Sequence, residues 1–267
     1  MAAPEIQAVA DLMDDEMSVL LHVDAAAAPL TLHGRDRLLG RIARSAAATR
    51  RMHTRRHAGL EPATLAYGVV ARELYRAARP ALRPGEPLRS RLVELAPGAC
   101  WAAAAAGLQR EWLVLQGEVR VGTQQLQGQD FLLEPAATTP TAVASASGAL
   151  LLLREAPPQP GAQTQLQRAA DAPWSPYGPG IERRVMAQHE GLAAMLYRTE
   201  PGAAVPHHGH HHDEECLMLA GDLFLDEVLL RPLDYQLAPA GTEHGGVCTD
   251  TGVLLYAHGD LDLDLRA

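Results

Sequence analysis

"PHHGHHHDEECLMLAG", residues 206–221, packs five histidines and three acidic residues against an apolar run. A purification tag would have a similar composition, but tags sit at termini and this stretch is internal and runs straight into apolar sequence. Whether it is a solvated loop or a metal site depends on the elements that carry it. In a strand, side chains two apart share a face, so His208 and His210 turn to one side while His207 and His211 turn to the other. Glu214 follows past a short polar turn, at the head of a strand that begins "ECLML". A second segment, "PAGTEH" at 239–244, uses a proline and a glycine to fix a turn and delivers His244 at the head of another strand. Three neutral imidazoles and one carboxylate are a transition-metal ligand set. The expected metal ligands are therefore His208, His210, Glu214 and His244.

The framework around these residues is a repeat. An offset of 104 residues carries Pro97-Gly98 onto Pro201-Gly202, Glu111 onto Glu215, "LVLQGEV" (113–119) onto "LMLAGDL" (217–223), Asp130-Phe131 onto Asp234-Tyr235, and "SGALLL" (147–152) onto "TGVLLY" (251–256). A constant offset puts the same turns in the same places, so the chain contains one domain twice. Each copy consists of short runs rich in Val, Leu and Tyr, punctuated by Gly, Pro, Asp and Thr about every ten residues, which is an all-β sandwich or barrel pattern. The expected organisation is a helical N-terminal segment (1–58), a first β domain (59–156), a proline-bearing linker (157–173) and a second β domain (174–267). Within the N-terminal segment, Ile6, Val9, Leu12, Met13, Leu20 and Leu21 follow a helical period. Leu38, Leu39, Ile42, Ala43 and Ala46 follow another.

The two copies differ where chemistry is concerned. The offset places Ala104 opposite His208, Ala106 opposite His210, Arg110 opposite Glu214 and Pro140 opposite His244. The first copy keeps the turns and loses every ligand, so it is expected to be a packed structural barrel. Cys216 and Cys248 are expected to point towards the metal by alternation, as small buried groups. Asp213 and Glu215 are expected near the rim.

Composition narrows the function classes. The chain has 267 residues with 47% hydrophobic and 21% charged content, which is enough for a sizeable core. All 23 basic residues are arginine, a bias read as a GC-rich bacterial genome. The net charge of −9 argues against a general nucleic-acid footprint, although the stretch 34–57 holds eight arginines against the single Asp36. No apolar run approaches 18 residues and no signal peptide opens the sequence, so no membrane partner and a cytoplasmic location are expected. Three scattered cysteines fit a reducing compartment.

With these residues in place, the sequence resembles the cupins, whose double-stranded β-helix (jelly-roll) barrel carries two motifs. Gly202, His208, His210, Glu214 and Gly221 match the first motif at every spacing, and Pro239, Gly241 and His244 match the second. Two positions depart from the pattern: Leu233 stands where a glycine is expected, and Cys248 where asparagine is often found. The fold implied is a bicupin, two tandem cupin barrels after a short α-helical segment. Among cupins the resemblance is to ChrR-type modules, carried by "HGHHHDEECLMLAGD", "LDYQLAPAGTEH" and the helical "RDRLLGRIARSAA". ChrR-type proteins are bacterial anti-sigma factors with a zinc-binding cupin and a zinc-binding helical domain that grips a sigma factor. The helical zinc site of that family requires cysteines, and the first 99 residues here have none. His22 and His33 cannot replace soft thiolates, which leaves a sigma factor a doubtful partner for this chain. The helices are instead expected to pack on a barrel or build a homodimer contact.

Two functions follow from the resemblance. The first, and the expected one, is a zinc-binding regulatory or sensor-like bicupin, with zinc the expected metal and four ligands closing the site. The other is a cupin metalloenzyme, a dioxygenase or isomerase with Fe, Mn or Ni, in which open positions admit dioxygen or a small molecule. A small molecule or an oxidant is the expected ligand in either case.

Overall fold

The computed structural model describes residues 35–40, 42–43, 52–78, 83–104, 107–136 and 139–265. The chain divides into two compact units, residues 1–44 and 45–267. Within the first unit, residues 35–40 and 42–43 are helical, with Leu38 38% and Leu39 46% exposed. The earlier expected helix (Ile6 to Leu21), together with His22, His33 and Ala46, lies outside the described residues.

The second unit is almost entirely β and holds both barrels. One sheet carries Arg89–Leu95, Gln109–Val121 and Ala149–Ala156 at its centre, and its counterpart carries Leu192–Thr199, Glu214–Gly221 and Val253–Asp260. The apolar runs that hide the period-two signal have a simple cause: both faces of these strands are buried. Along Glu214–Gly221, Cys216 and Met218 face the interior of the second barrel with Leu223, Leu225, Leu230 and Leu255. Leu217 faces the other way. It packs with Tyr235, Tyr256 and Leu196 against Leu113, Phe131, Leu152 and Leu92 of the first barrel. The interior of the first barrel is filled by a separate cluster around Trp112, Val114, Val119 and Val143.

The repeat reappears in the backbone. Gly117 and Gly221 have φ of 77° and 80°, and Gly148 and Gly252 of 97° and 80°. A Cβ on Gly117 would sit 2.1 Å from the Gly148 carbonyl oxygen, and one on Gly221 would sit 1.9 Å from that of Gly252. Only glycine meets both demands. Leu233 has φ 68° and its counterpart Gln129 has φ 66°. This left-handed turn is the reason the cupin motif expects glycine at 233, and here the chain holds the turn without it.

The strand pairing adds two elements to the expected organisation. His53–Arg55, inside the expected helical segment, is a strand paired with Tyr235–Ala238 of the second barrel. Gln165–Gln167, inside the expected linker, pairs with Phe131–Glu134 of the first. Each barrel is thus completed by the strand that leads into the other. The same anchor secures both. Asp234 accepts from His57 N (2.9 Å) and pairs with Arg56 (2.8 Å), and Asp130 accepts from Ala169 N (2.8 Å) and pairs with Arg168 (2.9 Å). These three-residue strands have little β propensity of their own. An open sheet edge, a tertiary feature, makes them strands.

A buried polar cluster joins the barrels. Arg154 bonds Glu111 (2.9 Å) and Glu215, and also the Gly85 carbonyl (2.6 Å). Glu215 further accepts from Ser90 and from Tyr235 Oη (2.7 Å). Glu111 accepts from Tyr256 Oη (3.2 Å) and lies 3.4 Å from His258. Glu111 and Glu215 are equivalent under the repeat, as are Arg154 and His258. Glu215, expected at the rim, is 1% exposed, because alternation turns it to the face opposite Glu214 and a second barrel covers that face. Asp213 is partly exposed and caps the Ala240 N–H at 2.8 Å. Burial opposes ionisation of Glu111, but His258 and Arg154 outweigh it and hold the carboxyl at about 2.

Candidate metal centre

The two motifs meet strand against strand. His208–Gly209 pairs antiparallel with Glu243–His244, with His208 directly opposite His244. The ring centroids of His208, His210 and His244 lie 5.3, 5.5 and 5.0 Å apart. All three rings are buried, whereas the side chains of His207 and His211 are 39% and 66% exposed. His208, His210 and Glu214 form a group whose donor atoms all lie within 4.8 Å of one another, a group that could hold a metal ion. His244 stands beside this group.

What each imidazole does with its Nδ1 determines what it offers at Nε2. Nδ1 of His208 meets the Pro206 carbonyl at 2.9 Å. Nδ1 of His210 meets Thr242 Oγ1 at 3.2 Å, and that hydroxyl is itself committed to donating to the Pro239 carbonyl at 2.6 Å. Nδ1 of His244 meets Asp226 Oδ2 at 3.1 Å. In each case Nδ1 must donate, so the proton is on Nδ1 and the Nε2 lone pair is free. Nε2 of His210 is buried 2.9 Å from Glu214 Oε2 without hydrogen-bond alignment, an orphaned donor atom beside a carboxylate. Lone pairs and a carboxylate gathered without protons between them suit a cation.

The electrostatics show that a proton competes with a cation for this place at His210. Burial lowers the His208 pKa. Burial works the same way on His210, but the bond and charge of Glu214 outweigh it and raise the value. Burial opposes charge on Glu214, yet His210 above all holds its carboxyl low. Asp226 is likewise held low, against burial, by His244.

A narrow pocket, open to solvent on one side, reaches His208, Glu214 and His244. Its walls are mostly apolar, including Leu223, Leu225, Val247 and Leu255, with Tyr177 and Tyr197 in an edge contact at 5.4 Å. Both expected cysteines reach it. Cys216 lies buried in the second core, where burial pushes its thiol well up, and Cys248 is exposed. Asp226, Thr242 and the Pro206 carbonyl were not singled out in the sequence. The spacing of Thr242, two before His244, is a usable signal for it. Asp226 lies in a hairpin turn and reaches His244 only through the fold.

The first barrel answers the same positions differently. Arg110, opposite Glu214 in the repeat, is 1% exposed and pairs with Glu134 at 3.2 Å, with Trp112 5.6 Å beneath its guanidinium. It also donates to Thr141 Oγ1 at 2.5 Å. A fixed side-chain cation stands where the other barrel gathers donors. Ala106 lies outside the described residues, and Ala104 is exposed.

This fold and these motifs are those of two tandem cupin barrels. Residues 162–262 match the ChrR cupin-like domain family, so the second barrel is ChrR-like in sequence. Solved structures share the two-barrel architecture. They include a candidate dioxygenase from Nostoc punctiforme (16% identity, covering 81% of each chain, TM-score 0.59). Another is the formate complex of oxalate decarboxylase from Lactobacillus farciminis (12% identity, 79% of this chain and 87% of that one, TM-score 0.61). A third is the Bacillus subtilis oxalate decarboxylase studied for its Mn(II) centres (14% identity, 80% and 78%, TM-score 0.55). At these identities the likeness is one of fold. No curated protein matches the chain by sequence. Among the described residues no helix is long and apolar enough to cross a membrane.

Proposed function

We propose that the second barrel binds one divalent transition metal through His208, His210, Glu214 and His244 and presents it to a small molecule in the adjoining cavity, as a metalloenzyme of the dioxygenase or isomerase kind. The observation that carries this reading is the set of three neighbouring imidazoles, each held at Nδ1 by a protein acceptor, with His208 and His210 gathered beside Glu214 and with His208, Glu214 and His244 lining a pocket. When bound, Mn, Fe or Ni supplies Lewis acidity and coordination positions beyond four. The chain supplies the rest. Asp226 fixes the ring and tautomer of His244, Thr242 does so for His210, and the apolar walls exclude water from the reacting face. The Mn(II) centres named for the Bacillus subtilis relative support a metal of this kind.

The ChrR-like match of the second barrel supports a second reading, a zinc-closed regulatory site. In both readings the chain is a cytoplasmic homodimer, and the N-terminal segment has no zinc-dependent grip on a sigma factor. Water-proton relaxation of the Mn(II)-loaded protein tests the choice. A rapidly exchanging water on the bound ion supports the enzyme. A Mn(II) ion without one, together with preferential retention of zinc, supports the regulatory site.

A further inference from the structure

The chemistry of the cavity wall limits what can sit on the proposed metal. Among the described residues lining the cavity, the only charged side chain is Glu214, beside the imidazoles of His208 and His244. No arginine lines it, and the chain has no lysine. Arg183 stands behind this wall and not in it: it lies 4.5 Å over the ring of Tyr177, bonds the Tyr197 hydroxyl, and donates to the Leu261 carbonyl, with Asp262 at 3.8 Å. Leu223, Leu225 and Leu255 are each less than 10% exposed. The Tyr197 hydroxyl, pushed well up by burial, stays protonated and adds no charge at neutral pH.

Charge balance follows directly. A divalent ion with three neutral imidazoles and one carboxylate carries a net charge of about +1. A singly charged ligand brings the enclosure to zero. A dianion leaves a negative charge facing apolar walls with no cation among them; Asp226, 3.1 Å behind His244 and 23% exposed to solvent, lies outside this inner count.

We infer that this cavity selects a monoanionic, bidentate chelator with an apolar or aromatic body and discriminates against small dianions. The inference rests on the metal-site reading and deepens it by assigning a ligand class. It also separates this site from one built for a dicarboxylate, which would need a cation in the wall.

The test uses the full chain loaded with Co(II), whose visible absorption reports changes in coordination. Tropolone is the monoanionic aromatic probe and oxalate the dianion. Each affinity is taken relative to that chelator's affinity for aqueous Co(II), so that intrinsic donor strength cancels. The expected result is a normalised preference for tropolone of at least about tenfold, as one uncompensated charge in an apolar site implies. The Cys248→Arg variant, which places a cation on an exposed part of the wall, should shrink that preference at least threefold. Cobalt-loaded protein that takes oxalate as well as tropolone, or a preference unmoved in Cys248→Arg, overturns the inference and leaves the metal reading standing. Protein that retains no cobalt overturns both.

Discussion

Replacing Arg154 by Met keeps a side chain of similar length in the interface between the barrels and removes the charge that two buried carboxylates share. Glu111 and Glu215 are 2% and 1% exposed, so water cannot take the place of the guanidinium. Removing one partner of a buried pair costs about 3–5 kcal/mol, most of it the penalty of the charge left behind. Glu215 keeps Ser90 and Tyr235, and Glu111 keeps Tyr256, Gln109 and His258, which places the expected loss inside that range and not above it. For a chain of this size that corresponds to roughly 6–20 °C in Tm. The pH dependence identifies the cause. The Glu111 pKa is depressed to about 2, so its contribution is fully present above the ordinary carboxyl value of 4.5 and is lost as pH falls through about 2. Without Arg154 the Glu111 carboxyl protonates more readily, and the deficit of the variant should shrink between pH 7.5 and pH 5. Denaturant unfolding at the two pH values measures this directly. A loss below about 1 kcal/mol at pH 7.5, or a deficit that is the same at pH 5, would refute the claim that this cluster locks the barrels together.

Metal retention should fall as acid is added, beginning above pH 6.5, because the raised pKa of His210 means that its proton competes early, while the lowered pKa of His208 keeps that ring neutral. Under a weak chelator, equal occupancy at pH 7.5 and pH 5 would contradict this. Asp226→Asn should weaken metal affinity about 10–100-fold with little change in fold, since it loosens the hold on His244 from behind; competition titration with circular dichroism as a control checks both halves. Gly221→Ala should destabilise the protein by more than about 1 kcal/mol, because its Cβ would collide with the Gly252 carbonyl oxygen in a left-handed turn. An unchanged melting temperature would contradict that.

The repeat and the ligand motifs could be read in the sequence because they rest on spacing, and spacing is what a strand preserves. Gly117 and Gly221 stand at the same repeat offset for a reason visible in the backbone, a close approach that only glycine allows. His208 and His210 face inward because they are two apart. What could not be read depends on partners far along the chain. His53–Arg55 and Gln165–Gln167 are strands only because another barrel offers an edge. Glu215 reads as a rim residue until the opposite face of its strand is found covered, and Asp226 reads as a hairpin turn until the fold brings it to His244. The apolar wall of the cavity was hidden in the same way. Leu223 and Leu225 alternate like any core strand, and nothing local shows that they border a space and not another side chain.

The most direct test of the metal centre is the amount of metal carried by the full chain and by the double variant His208→Ala, His210→Ala, measured by elemental analysis after purification without added metal. The account predicts one equivalent of a divalent transition metal per chain in the parent, with Arg110 keeping the first barrel free of metal, and none in the variant. Two equivalents per chain, or an equivalent that survives the loss of both histidines, would contradict it.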